Sequence, residues 1–82
     1  MVLLHPWVKE KGLRLAEKEN KLVFFVDLKA DKRSIARAVE EYFNVKVVKV
    51  NTLITPKGKK KAIIQLAPEH NAFDIASKLG FV

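Results

Sequence analysis

Four lysines fall within five residues, Lys57, Lys59, Lys60 and Lys61, in the stretch NTLITPKGKKKAIIQL. Like charges held this close repel one another, so the cluster destabilises the free chain until an anion neutralises it. Phosphate suits it well. Lysine meets a phosphate backbone as a flexible point charge and needs only to be held near it. Asn51 and Thr52 lie at the base of the same segment, with polar groups able to bond sugar or phosphate. The whole chain agrees in sign: 16 basic and 9 acidic residues give a net charge of +7, the electrostatic footprint of a nucleic-acid binder. A plain solvated turn is the rival reading, because lysines at a hairpin tip also discourage edge pairing. Four of them exceed that need.

Catalytic chemistry fits poorly. His5 and His70 stand near opposite ends of the chain, and with no cysteine and no carboxylates at ligand spacing they predict no metal site. Glu40 and Glu41 are adjacent on a helical segment, so they point about 100° apart and cannot face each other as an acid/base pair. Ser34 and Ser77 lack a glycine elbow. The single glycine of PKGKKK is not a Walker loop, which needs two glycines and a hydroxyl residue opening a helix. Trp7, beside Pro6, reads as a packing anchor rather than a base-stacking group. The expectation is a non-enzyme with no cofactor and no small-molecule substrate.

The elements that must position the lysines follow from hydrophobic periodicity. VLLHP predicts a brief edge strand stopped by Pro6. WVKEKGLRLAEKEN predicts a helix with Trp7, Val8, Leu13 and Ala16 at loosely helical spacing, interrupted by Gly12 and ending near Asn20. KLVFFVDL is the clearest strand, with Leu22, Phe24, Val26 and Leu28 on one face and Val23 and Phe25 on the other, which suits an interior position. DKRSIARAVEEYF predicts a helix capped by Asp31, with Ile35, Val39, Tyr42 and Phe43 as its apolar stripe and Asn44 as a left-handed stop. Arg33, Arg37, Glu40 and Glu41 fall off that stripe. KVVKVNTLI predicts a strand with Val48, Val50 and Ile54 on one face and Lys49 and Asn51 on the other. TPKGKK supplies a turn, and KAIIQLA returns with Ala62, Ile64 and Leu66 on the core side. In NAFDIASKLG, Asn71 caps a last helix, Phe73, Ile75, Ala76 and Leu79 pack, and Gly80 ends it.

This order predicts an α+β fold: an antiparallel sheet of three to four strands, helices packed on both faces, with ferredoxin-like, split β-α-β character. At 82 residues the chain makes one domain, residues 1–82. The absence of cysteine favours a reducing compartment, no secretory h-region opens the chain, and LVFFV is too short to span a bilayer. The expected location is cytoplasmic, without membrane insertion.

Two likenesses bear on function. The strand VFFVDL resembles the shorter aromatic motif of RNA-recognition-motif domains. That reading lacks a closing strand after the last helix, and KAIIQLA carries none of the aromatics of the longer motif. A stronger resemblance covers nearly the whole chain. VKEK, NKLVFFV, AVEEYFNVKVVKVNTLITPKGKKKAIIQL and the closing LG resemble the family of large ribosomal subunit protein twenty-three, at the mouth of the polypeptide exit tunnel. The short TPKGKKK hairpin is similar to the archaeal type. Two positions depart from the family pattern: Lys9 stands where a hydroxyl residue is common, and Gln65 where a basic one is.

The resemblance implies large-subunit ribosomal RNA as the anion, neighbouring ribosomal proteins as contacts, and signal recognition particle as a docking partner. Candidate RNA-binding residues are Lys9, Lys11, Arg33, Arg37, Lys49, Asn51, Thr52, Lys57, Lys59, Lys60 and Lys61. Glu10, matching the glutamate of the family's Glu-Lys pair, is the candidate handle for a basic docking partner. A basic scaffold that binds an acidic protein without RNA is the alternative of a different class.

Overall fold

The computed structural model describes residues 5–7 and 9–79, and over them the element order is the one the sequence predicts. Strand β1 (His5–Pro6) leads to helix α1 (Glu10–Glu19), strand β2 (Lys21–Val26) and helix α2 (Lys32–Phe43). Strands β3 (Val47–Ile54) and β4 (Lys60–Leu66) form the hairpin, and helix α3 (Ala72–Lys78) follows. The four strands make one antiparallel sheet in the order β1-β2-β4-β3. Since β4 runs antiparallel to both neighbours, β2 and β3 are parallel with β4 inserted between them. That is the split β-α-β arrangement, with α2 as its crossover.

Local chemistry explains most boundaries. Asp31 caps α2 by accepting the Ser34 N–H at 2.7 Å, and Asn44 closes it in the left-handed region at φ 56°. Asn71 caps α3 by accepting from the amides of Phe73 and Asp74. Asn20 ends α1 at φ 57° and does more. Its amide nitrogen donates to the carbonyls of Leu66 and Ala67, and its oxygen accepts the Ala72 N–H at 2.8 Å. One side chain thus ties the ends of α1 and β4 to the start of α3. Pro6 pairs with Phe24 between the pairs His5–Phe25 and Trp7–Val23. Alternation along an antiparallel ladder turns its missing N–H away from β2, so the proline costs no hydrogen bond.

The core is formed by Leu22, Phe24 and Val26 of β2, Val50 of β3, and Ala62, Ile64 and Leu66 of β4, against Ala16, Ile35, Val39, Ala72 and Ala76 from the helices. The buried apolar side chains of all three helices join this single cluster. The expectation of helices on both faces is therefore corrected. On the other face, among the described residues, only Val23 is buried; Phe25, Lys61, Ile63 and Gln65 are half-buried and Lys49, Asn51 and Leu53 exposed.

Further corrections concern single residues. Gly12 does not interrupt α1 but is buried within it: a Cβ there would lie 2.7 Å from the Trp7 carbonyl oxygen, so glycine is what lets the helix approach. Trp7 lies outside the helix, donating its N–H to the Val23 carbonyl at 2.9 Å. Val48 sits at an irregularity between Val47 and Lys49, which turns it outward to 61% exposure. Val47 packs against the core instead, and its N–H is taken by the Glu40 carboxylate at 3.0 Å. Leu28, Tyr42, Ile54 and Phe73 are exposed, and Ala72 and Ala76, not Phe73, are the buried residues of the last helix. The expected strand residues 2–4, Val8 and Gly80 lie outside the described residues. No helix among the described residues is long and apolar enough to cross a membrane.

Candidate nucleic-acid interface

The hairpin turn is locally determined. Gly58 adopts φ 80°, a conformation that favours glycine. Thr55 closes the turn, donating its N–H to the Lys59 carbonyl at 2.7 Å while its hydroxyl accepts the Lys59 N–H at 3.1 Å. Lys57 and Lys59 stand exposed at this end of the molecule.

Strand alternation then divides the lysines between two faces. Lys61 is paired with Phe25, and directly opposed residues share a face. Its Nζ lies 3.6 Å from the Trp7 ring centroid and 5.7 Å from that of Phe25. Lys59, of the same parity, places its Nζ 5.6 Å from the Phe25 ring. Lys49 and Asn51 belong to this open face as well, opposite Gln65 and Ile63. The result is a sheet surface on which cations and aromatic rings interleave.

Lys60 belongs to the other side. It pairs with Val26 and Ile54, and its ammonium donates to the Ala30 carbonyl at 2.6 Å and the Leu28 carbonyl at 3.5 Å. Those carbonyls belong to the loop between β2 and α2, so Lys60 fastens that loop to the hairpin. Thr52, opposite Ala62, likewise has core-face parity and is separated from Asn51. The remaining candidates do not join the open face. Arg33 and Arg37 lie on α2 beside Ser34, Ala38 and Glu41. Lys9 and Lys11 flank Glu10 at the start of α1 and are exposed. Glu10 has a side chain 86% exposed and pairs with Arg14 at 3.6 Å.

Two residues of the surface were not read as site residues from the sequence. By sequence, Phe25 reads as a residue of a covered face and Trp7 as a packing anchor. The packing role is real, since a Cβ on Gly12 would lie 3.3 Å from the indole Cε3, yet the ring also meets Lys61. The available signal was parity: Phe25 alternates away from Leu22, Phe24 and Val26, and Lys61 away from Ala62, Ile64 and Leu66. The same signal assigns Lys60 to the core side.

Comparison with known proteins matches residues 1–75 to the model of the family described as Ribosomal protein L23. The chain is 63% identical over 73 residues to the large ribosomal subunit protein uL23 of Pyrobaculum aerophilum, covering 89% of this chain and 90% of the relative. It is 52% identical over 79 residues to the protein of the same name from Methanococcus aeolicus, covering 96% and 92%. Matches of this identity, running nearly end to end in both chains, leave one assignment: the chain belongs to the ribosomal protein L23 family.

Proposed function

We propose that the chain is a structural constituent of the large ribosomal subunit, in the cytoplasm, that binds large-subunit ribosomal RNA near the polypeptide exit. Family membership and the relatives' names support the subunit. The observation that carries RNA binding is the convergence of Lys59 and Lys61 on one open sheet face, which Lys49 and Asn51 share farther along the strands, in a chain of net charge +7. Phosphates neutralise that surface, neighbouring ribosomal proteins contact the rest, and the role is architectural rather than enzymatic. The test is sedimentation of the chain with large subunits at increasing salt. Retention in moderate salt with gradual loss at high salt is expected, and failure to co-sediment at any salt refutes the reading.

Docking of signal recognition particle through Glu10 is the finer part of the proposal. Its support is a carboxylate 86% exposed at the start of α1, an accessible acidic group on a basic protein. Ribosomes carrying Glu10→Lys are expected to contain normal amounts of the protein and to bind the particle less tightly at fixed salt. Equal binding removes Glu10 from docking, and depletion of the protein from subunits assigns Glu10 to assembly instead.

A further inference from the structure

We propose that the open sheet face takes unpaired nucleotides, their bases stacking on Phe25 and Trp7 and their phosphates meeting Lys59 and Lys61. The inference rests on the RNA-binding reading and specifies which part of an RNA this face receives.

Three observations converge. First, the two rings and two ammonium groups share one surface, with Nζ-to-ring distances of 3.6, 5.6 and 5.7 Å. Neither ring belongs to the core cluster. Second, an open hollow of about 330 Å³ at the strand ends adjoins the Phe25 ring, bordered by His5, Val26, Leu28, Gly58, Lys59 and, from the core side, Lys60. Its walls are largely apolar, and at Gly58 the space where a side chain would stand has no atom within 4 Å. Third, Phe25 and Lys61 are directly paired across β2 and β4, so an aromatic ring and a cation stand side by side at strand spacing.

The chemistry that uses all three is a single strand. A duplex keeps its bases stacked on one another and offers this face only phosphates, which the lysines alone would satisfy. An acidic peptide would likewise engage the lysines and leave the rings and the hollow idle. An unpaired nucleotide joins a flat π-surface to a phosphate one sugar away, and proteins bind such strands by combining a basic track with aromatic platforms. In the free chain Lys61 occupies the Trp7 face as a cation–π partner. Its stem is flexible, so the ammonium swings to a phosphate when a base takes its place.

Trp7 is the chain's one tryptophan, so its fluorescence reports on this face without substitution. The probe is a short oligoadenylate, titrated into the full chain beside an RNA duplex of equal length and poly-glutamate. The single strand should quench Trp7 emission and bind more tightly than either competitor. Phe25→Leu should weaken single-strand binding about 5- to 140-fold, the contribution of stacking one base, and leave the salt slope unchanged. Phe25→Tyr, which keeps the ring, should bind like the wild type. Unquenched Trp7 emission overturns the proposal, as does wild-type affinity in folded Phe25→Leu or equal binding of duplex or poly-glutamate. If Lys59→Ala and Lys61→Ala weaken RNA binding while Phe25→Leu does not, stacking fails and the RNA-binding reading stands. If none of the three matters, both fail at this face.

Discussion

Lys60 and its neighbours Lys59 and Lys61 have the same charge and adjacent positions, yet their removal should have opposite consequences. The Lys60 ammonium makes one short bond to the Ala30 carbonyl, at 2.6 Å, and a second at the outer limit, 3.5 Å from Leu28. A hydrogen bond involving a charged group contributes about 1.5–3 kcal/mol. Lys60 is half-buried, so water recovers part of that when the lysine is lost. Lys60→Met, which retains most of the apolar stem, should therefore cost about 1–2 kcal/mol, a large share for a small domain. Its effect on RNA binding should be slight, because the ammonium is engaged with backbone and faces away from the sheet surface. Lys59→Ala should leave stability nearly unchanged and Lys61→Ala should cost about 0.5–1 kcal/mol through its lost contact with the Trp7 ring, and each should reduce the salt slope of binding by about 0.7–0.9 units. Urea unfolding and RNA titration across a salt series on the same variants measure both quantities. A Lys60→Met chain with normal stability and a slope reduced by a full unit would refute the division of faces.

Ile64 is fully buried, so Ile64→Ala should cost about 2–5 kcal/mol. Phe43 is only half-buried at the edge of the core, 5.7 Å from the Phe24 ring, and Phe43→Ala should cost about half the usual 3–5 kcal/mol; urea unfolding of the two variants tests the order. Asn20→Gly preserves the left-handed backbone but removes three side-chain hydrogen bonds, with an expected loss of about 1–3 kcal/mol. Unchanged stability would show that the tie between α1, β4 and α3 is dispensable. The Ser34 backbone amide, then its hydroxyl, hold the Asp31 carboxyl below its ordinary value of 3.8. A depressed folded value means the capping contribution is complete above 3.8 and disappears as pH falls through the folded value. The stability gap between wild type and Asp31→Ala should be full at neutral pH and close in acid; a gap independent of pH would refute the ionic cap.

The sequence was most legible where several local signals agreed. In α2, a capping aspartate, an apolar stripe and an αL asparagine all specify one element, and its limits are as read. It was least legible where tertiary contacts override periodicity. Strict alternation assigns Val48 to the core, but the irregularity beside it turns it out and admits Val47, and no residue type in KVVKV marks that shift. Gly12 reads as a helix breaker by propensity, whereas its reason is the approach of the Trp7 backbone, a contact across different elements. The candidate site was half legible. Charge identified the hairpin, and the strand period already present in KAIIQL separates Lys60 from Lys59 and Lys61. The part played by Trp7 depends on β1 lying beside β2, which periodicity alone does not give.

The insertion of β4 between β2 and β3 also sets the order in which the chain can acquire structure during synthesis. Among the described residues, β3 joins the sheet only through β4, and the other partner of β2 is β1. Until Lys60–Leu66 has emerged, Leu22, Phe24 and Val26 lack the strand that covers their flank, and a two-stranded ribbon is marginal alone. The pairing that completes the fold joins segments far apart in sequence, such as Lys21 with Gln65, and must first meet the entropy of closing that loop. Folding is thus deferred until β4 has emerged. A chain cut short before β4 keeps its apolar strands open to proteases, so the topology itself distinguishes chains that contain β4 from shorter fragments.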